Sequence, residues 1–444
     1  MMITPVVQFI DQYRHSGTLR LHMPGHKGQG EIEALDITEI RGADPLYPAA
    51  GILRESEENA ATLFGAGRTL YSAEGSSLCI RAMLYLARLR AEQNQIPPRI
   101  LAGRNAHRTF LAGAAVLGLE VAWIPGESLL TCLPSTQELR QALAALPQPP
   151  AAVYLTSPDY LGHRADIASL AAVCHAQGVP LLVDNAHGAY LRFLPQDQHP
   201  LSLGADLVCD SGHKTLPVLT GGAYLHIHRE AEHLFFHQAE RALALFASTS
   251  PSWLILRSLD ACNGYLAGDY PRELASFSAQ VAIVKDALRA HGYALVGDEP
   301  LKITIAPKPF GYTGDQLHDC LRGAGMECEF SDPDFLVMMV TPQTGLSGLE
   351  RLQHALTQLP RRDAILQTPP ALPSSCPAAP LSRALLASAE AVPVAESLGR
   401  ILADPCVSCP PAVPILVSGE RITEDAIRCF EYYGVSTVLC TTEH

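Results

Sequence analysis

Between Arg68 and Ile227, short and wholly apolar runs alternate with amphipathic stretches of helical period. No other feature of the chain narrows its fold as much. A strand that is apolar on both sides has to be covered on both sides, and strands separated by helices pair in parallel through crossovers. Thr69-Leu70-Tyr71 reads as a strand and Ser77 to Arg90 as the helix after it. Arg99 to Ala102, Val121 to Ile124, Ala152 to Thr156, Pro180 to Val183, Asp206 to Cys209 and Gly222 to Ile227 read as further strands. Asp166 to Gln177 reads as a helix with Asp166 as its N-cap and Gly178 as its stop. The expectation is an α/β fold with a mainly parallel, seven-stranded sheet.

The pattern changes after Arg229. Glu230 to Leu259 is mostly helical, and Pro271 to His291 reads as a long connecting helix. A smaller α+β unit follows, with strands at Leu301 to Ile305 and Phe335 to Val340 and helices at Gly314 to Arg322 and Leu346 to Leu359. Thr368 to Pro380, rich in Pro, Ser and Ala, reads as a linker. The tail offers a strand at Ile415-Leu416-Val417, a helix at Glu424 to Tyr433 and a last strand at Ser436 to Cys440. The expected segments are 1–260, 261–365 and 366–444.

Ligands of such sheets gather beyond the carboxyl ends of the strands. Ser76, His107, Tyr160, Asp184 and Lys214 all fall there. Asp184 ends the run Leu181-Leu182-Val183, and Lys214 follows thirty positions later in Ser211-Gly212-His213-Lys214-Thr215. Each residue alone has a plain reading, as a turn carboxylate or a surface lysine. Together they match the needs of pyridoxal 5'-phosphate. A lysine captures its aldehyde as a Schiff base, and a carboxylate keeps its ring nitrogen protonated so that the ring draws electrons. Gly75-Ser76-Ser77 opens a helix, where the dipole and hydroxyls can meet a phosphate, and Ser211 adds another hydroxyl. His107 starts a helix at another strand end and could stack on the pyridine face. Its plain reading is a polar helix-start residue.

Composition limits the partners. The formal net charge is −13, which argues against nucleic acid or an anionic membrane. No apolar run reaches the ~18–20 residues of a membrane span, and Met1 to Pro5 lacks the basic start and apolar core of a leader. The expected compartment is the cytoplasm. Most of the twelve cysteines are scattered through apolar stretches, as buried free thiols are. Cys406-Val407-Ser408-Cys409 has no second pair at zinc spacing, so no metal site is expected.

Taken in order, the motifs resemble those of the Orn/Lys/Arg decarboxylase family, which is similar in fold to aspartate aminotransferase (fold type I). Leu21-His22-Met23-Pro24-Gly25-His26-Lys27-Gly28 resembles the family's H-x-P-G-H element. Asp36-Ile37-Thr38-Glu39, Leu63-Phe64-Gly65-Ala66, Gly75-Ser76-Ser77 and Arg104-Asn105-x-His107 follow. Then come Asp184-x-Ala186-His187-Gly188, Ser211-x-His213-Lys214-Thr215-Leu216-Pro217 and, near the end, Pro410-Pro411-Ala412-Val413-Pro414 with Gly419-Glu420. The resemblance spans nearly the whole chain, without the N-terminal wing domain of the long acid-induced members.

The resemblance implies roles. Lys214 would hold the cofactor, Asp184 would pair with its ring nitrogen, and His107 would stack. Gly75, Ser76, Ser77 and Ser211 would bind the phosphate. His213 would lie beside the Schiff base, His187 near the ring, and Glu420 at the substrate. It also implies a homodimer or larger homo-oligomer and a small basic amino acid as substrate: arginine, lysine or ornithine. Glu74, Asp159, Ala412 and Ser418 depart from the family pattern, and Glu74 would bring a negative charge toward the phosphate. Two alternatives stand beside decarboxylation. One is an aminotransferase or β-eliminating lyase with Arg361 and Arg362 as a carboxylate clamp. The other is a catalytically silent relative.

Overall fold

The computed structural model describes residues 2–124, 133–409 and 413–442. The chain divides into two compact units. The first comprises Met1–Pro97, Ala151–Ser157 and Ile167–Leu274, and the second Pro98–Pro150, Pro158–Asp166 and Ala275–His444.

The large sheet has seven strands: β1 (Arg68–Ser72), β2 (Arg99–Gly103), β3 (Glu120–Ile124), β4 (Ala152–Thr156), β5 (Leu181–Asp184), β6 (Leu207–Asp210) and β7 (Ala223–Ile227). The first unit carries five of them in the order β1-β7-β6-β5-β4, and the second carries the parallel pair β2-β3. β4-β5 and β5-β6 are parallel, whereas β7 runs antiparallel to both β6 and β1. Every residue of β5, β6 and β7 is buried, which is why these strands read as unbroken apolar runs.

Within the first unit, helix Gly75–Gln93 packs on β6 and β7 and against helix His233–Ala244. Helices Pro5–His15, Gly51–Phe64 and Trp253–Leu266 form a second layer beside β1. A buried polar cluster ties that layer to the sheet. Ser56 donates to Asp260 at 2.5 Å, and Asn263 donates to the Tyr71 hydroxyl at 2.8 Å. The two N-terminal helices precede the repeating strand pattern, so the periodicity that marks the sheet carried no sign of them.

The second unit holds a four-stranded antiparallel sheet made from β8 (Ala294–Val296), β9 (Lys302–Ala306), β10 (Phe330–Ser331) and β11 (Leu336–Met339), in the order β10-β11-β9-β8. The tail forms two antiparallel pairs from β12 (Ala389–Pro393), β13 (Cys406–Cys409), β14 (Val413–Val417) and β15 (Thr437–Thr441): β12 with β15, and β13 with β14. The Pro- and Ala-rich stretch before the tail is not loose at its end. Ala378 and Ala379 both donate their N–H groups to the Gly419 carbonyl, at 2.9 and 3.0 Å. The Pro410-Pro411-Ala412 motif lies outside the described residues.

Candidate active site

Asp184 closes β5, with its backbone in register with Cys209 of β6 and Thr156 of β4. Its carboxylate is buried and ringed by donors. The Tyr154 hydroxyl donates to Oδ2 at 3.2 Å, the Ala186 N–H donates to Oδ1 at 3.2 Å, and the Cys209 thiol lies 3.6 Å from Oδ1. Burial, and then the charge of Asp184, raises Tyr154 and Cys209 well above their ordinary pKa values, so both keep their protons and remain donors.

The chain then turns through Asn185-Ala186-His187-Gly188, with the Gly188 N–H donating to the Asn185 carbonyl at 2.8 Å. A Cβ at Gly188 would sit 2.0 Å from Asn185 Oδ1 and 2.8 Å from Leu191 Cδ1, so a larger residue would have to displace both side chains. The turn presents His187, whose Nε2 lies 3.0 Å from Lys214 Nζ. Lys214 itself stands on the short helix Gly212–Thr215 that follows β6. Beside it, His213 Nδ1 meets the Gly222 carbonyl at 3.1 Å. A carbonyl only accepts, so the Nδ1 proton points there and neutral His213 presents Nε2 as an acceptor. Burial, followed by the neighbouring Lys214 charge, holds this imidazole below its usual pKa against the opposing Gly222 bond.

The candidate phosphate side draws on the ends of β1 and β6. Helix Gly75–Gln93 begins directly beyond β1, and its first-turn N–H groups form the anion-attracting end of the helix. Gly75 has φ +70°, and a Cβ there would meet nothing within 4 Å, which leaves open space at the helix mouth. The Ser211 hydroxyl, from the end of β6, lies 2.8 Å from that of Ser76. Ser77 follows on the same first turn. Glu74, expected to bring a negative charge toward this site, is the residue directly before Gly75 and accepts the Ser248 N–H at 2.6 Å. The first unit therefore gathers Gly75, Ser76, Ser77, Ser211, Asp184, His187, His213 and Lys214 at the carboxyl end of its sheet. An anion cradle, a lysine and a strand-end acid with fixed donors are the group set that pyridoxal phosphate requires.

His107 and Glu420 belong to the second unit. His107 is the N-cap of helix Arg108–Val116, and its Nδ1 accepts the Thr109 N–H at 3.2 Å. Its ring is exposed. Glu420 is buried, and Arg104 grips it with two bonds of 3.0 and 2.8 Å. The Val417 N–H adds a bond of 2.9 Å, and the Ser375 hydroxyl adds another. Both oxygens of Glu420 are thus already held by a cation of this chain. The Arg104 guanidinium also lies over the Trp123 ring, 5.6 Å from its centre. A cavity of about 540 Å³ opens there, with Trp123, Ser375 and Glu420 in its wall. Asp159 closes the tight loop after β4 by accepting both the His163 N–H and its ring Nδ1–H at 2.8 Å.

Sequence reasoning passed over a second buried cluster beneath the lysine turn. Asp210 accepts from His199 Nε2 at 2.9 Å, from His226 Nε2 at 3.2 Å and from Asn185 Nδ2 at 2.7 Å. These groups have the composition of a metal triad. The Leu201 N–H, however, lies 3.3 Å from His199 Nδ1 and takes up its lone pair, which puts the ring proton on Nε2, aimed at Asp210. The cluster is therefore organised by hydrogen bonds. Burial raises Asp210, but the two imidazoles outweigh it and hold the carboxyl far below its usual range.

Comparison with known proteins identifies the family of the chain. The family description "Orn/Lys/Arg decarboxylase, major domain" matches residues 4–342, and the family's C-terminal domain matches residues 364–439. The chain is 29% identical to an arginine decarboxylase of Bacillus subtilis over 96% of its own length and 92% of that protein's. It is 28% identical to protein YaaO of the same species, over 96% and 93%. Its fold matches that of lysine decarboxylase A from Pseudomonas aeruginosa with a TM-score of 0.78, at 16% identity, over 99% of this chain and 80% of that one. Among the described residues, no helix is long and apolar enough to cross a membrane. The chain belongs to the Orn/Lys/Arg decarboxylase family and is a pyridoxal phosphate-dependent decarboxylase of basic amino acids.

Proposed function

We propose that the substrate is arginine, converted to agmatine and carbon dioxide by a homodimer or larger homo-oligomer in the cytoplasm. The observation that carries the catalytic reading is the 3.0 Å approach of His187 Nε2 to Lys214 Nζ, beside the donor-ringed Asp184. The choice of arginine rests on relatives named arginine decarboxylase that cover nearly the whole chain. The cysteines described are all free thiols, in keeping with a reducing compartment.

When bound, pyridoxal phosphate supplies the electron sink for the pair left at Cα as carbon dioxide departs. Lys214 would be the attachment point, and Asp184 would meet the ring nitrogen. Ser76, Ser77 and Ser211, with the helix start at Gly75, would hold the phosphate, and the family resemblance gives the stacking role to His107. His187 Nε2 accepts from Lys214 Nζ and orients the amine. The proton that replaces the carboxylate at Cα comes from Lys214 Nζ or His213 Nε2. Burial holds His213 below its ordinary pKa, which disfavours it as the proton donor. Glu420 serves a distal substrate cation only where Arg104 shares it.

The test is an amine-product screen by mass spectrometry with arginine, lysine and ornithine. Agmatine from arginine, at the highest kcat/KM of the three, is the expected result. Cadaverine or putrescine in its place overturns the substrate, and no amine from any of the three overturns the decarboxylase role.

A further inference from the structure

Asp184 is the residue through which the fold controls the cofactor ring, so what holds Asp184 matters. Two of its three donors are side chains from inside the sheet. Tyr154 comes from the middle of β4, one residue N-terminal to the register partner of Val183, and Cys209 is the register partner of Asp184 itself. Both are wholly buried, where an apolar residue would fill the space at no polar cost. A tyrosine hydroxyl in a sheet core needs a partner, and a carboxylate oxygen at 3.2 Å supplies one here. Donation to a carboxylate stabilises its anion and fixes its direction.

We propose that Tyr154, backed by Cys209, is a positioning residue that fixes the direction of Asp184 and keeps the shared proton on the cofactor's ring nitrogen. The assignment rests on the pyridoxal phosphate site described above. Both donors retain their protons because burial and the Asp184 charge oppose their ionisation. Without the Tyr154 donor, Asp184 becomes the stronger base, and the proton between it and the ring nitrogen moves toward the carboxylate. A less protonated ring withdraws fewer electrons from the Lys214 linkage, which then holds its own proton to higher pH.

The experiment is a visible-absorbance pH titration of cofactor-loaded wild type and Tyr154→Phe, with borohydride reduction and peptide mapping on each. The expected result is a titration midpoint higher by about 0.5–1 pH unit in Tyr154→Phe, a several-fold weaker cofactor dissociation constant, and an adduct still on Lys214. In an Asp184→Asn background the same substitution is expected to add no further shift, because it acts through the carboxylate. A midpoint unmoved in Tyr154→Phe, with only the melting temperature lowered, overturns the proposal and leaves Tyr154 as packing. If Tyr154→Phe does not fold, Cys209→Ala takes its place and must move the midpoint in the same direction, an unmoved one again counting against the proposal. An adduct missing from Lys214 in the wild type overturns the cofactor site itself and this proposal with it, and so marks the two failures apart.

Discussion

His187 Nε2 and Lys214 Nζ stand 3.0 Å apart although they come from different strand ends, one in the turn after β5 and the other on the helix after β6. The parallel pairing of β5 and β6 produces this meeting, because it brings both carboxyl ends to the same edge of the sheet. Lys214→Ala is expected to remove the borohydride-fixed adduct and the visible absorbance, along with measurable decarboxylation. His187→Ala keeps the attachment point but loses the partner of its amine. Its kcat is expected to fall about 10²-fold, the lower end of what a positioned acid–base group contributes. Single-turnover kinetics with the adduct mapped in parallel would check both. A His187→Ala enzyme with full kcat would show that His187 does not orient the Lys214 amine.

The bidentate contact between Arg104 and Glu420 predicts asymmetric mutational costs. Glu420 is buried, and Arg104→Ala strands its carboxylate at a cost of about 3–5 kcal/mol. Replacing both members by apolar residues, Arg104→Met with Glu420→Leu, is expected to cost much less than the single change. Denaturant unfolding of the two singles and the double measures the coupling. Additive effects would show that the pair does not act as a unit.

Asp159 and His163 carry a pH-dependent term in the second unit. Burial lowers the imidazole's affinity for protons, but the hydrogen bond and charge of Asp159 outweigh it, and the net shift is upward. A histidine raised on folding stabilises fully below its unfolded value of about 6.5, and that contribution is lost as pH rises through the folded value. Asp159→Asn keeps an oxygen for the His163 N–H and removes the charge. Its deficit in melting temperature is therefore expected to be larger at pH 5.5 than at pH 8.5. An equal deficit at both would mean that the ring–carboxylate contact contributes nothing to folding.

What the sequence disclosed was whatever is local along the chain. Lys214, Asp184, Ser76 and Ser211 lie in short turns directly after apolar runs, so strand-end position and residue type together marked them. Tyr154 and Cys209 sit inside such runs, where Ala-Val-Tyr-Leu-Thr and Leu-Val-Cys-Asp read as ordinary buried strand. Only the register that sets Thr156 and Cys209 beside Asp184 reveals what they face. Asp210 and His226 were hidden in the same way, since the antiparallel return of β7 has no local sign that separates it from its parallel neighbours, and His199 lies in a loop with no strand pattern to mark it. Arg104 was visible as part of a motif, but its partner lies 316 positions away and no spacing rule reaches that far. Glu74 was visible too, but its Ser248 N–H partner, 174 positions away, was not.

The last prediction concerns Glu57, a buried carboxyl in helix Gly51–Phe64 that accepts the Tyr71 N–H at 2.9 Å. Burial raises its pKa to about 8; the Tyr71 bond and the charges of Arg68 and Arg54 pull the other way, and Glu240 adds to the rise. In the unfolded chain the same group titrates near its ordinary value of about 4.3. Between these two values the folded protein keeps a proton that the unfolded chain has released, so stability falls as pH rises through the interval. The contribution is complete below the lower value and lost above the upper one. Glu57→Gln mimics the protonated form and retains an oxygen for the Tyr71 N–H. The variant is expected to melt close to wild type at pH 5 and several degrees higher at pH 8.5, with a flatter dependence between. Melting curves across that range decide it, because parallel wild-type and variant profiles would place the Glu57 proton elsewhere.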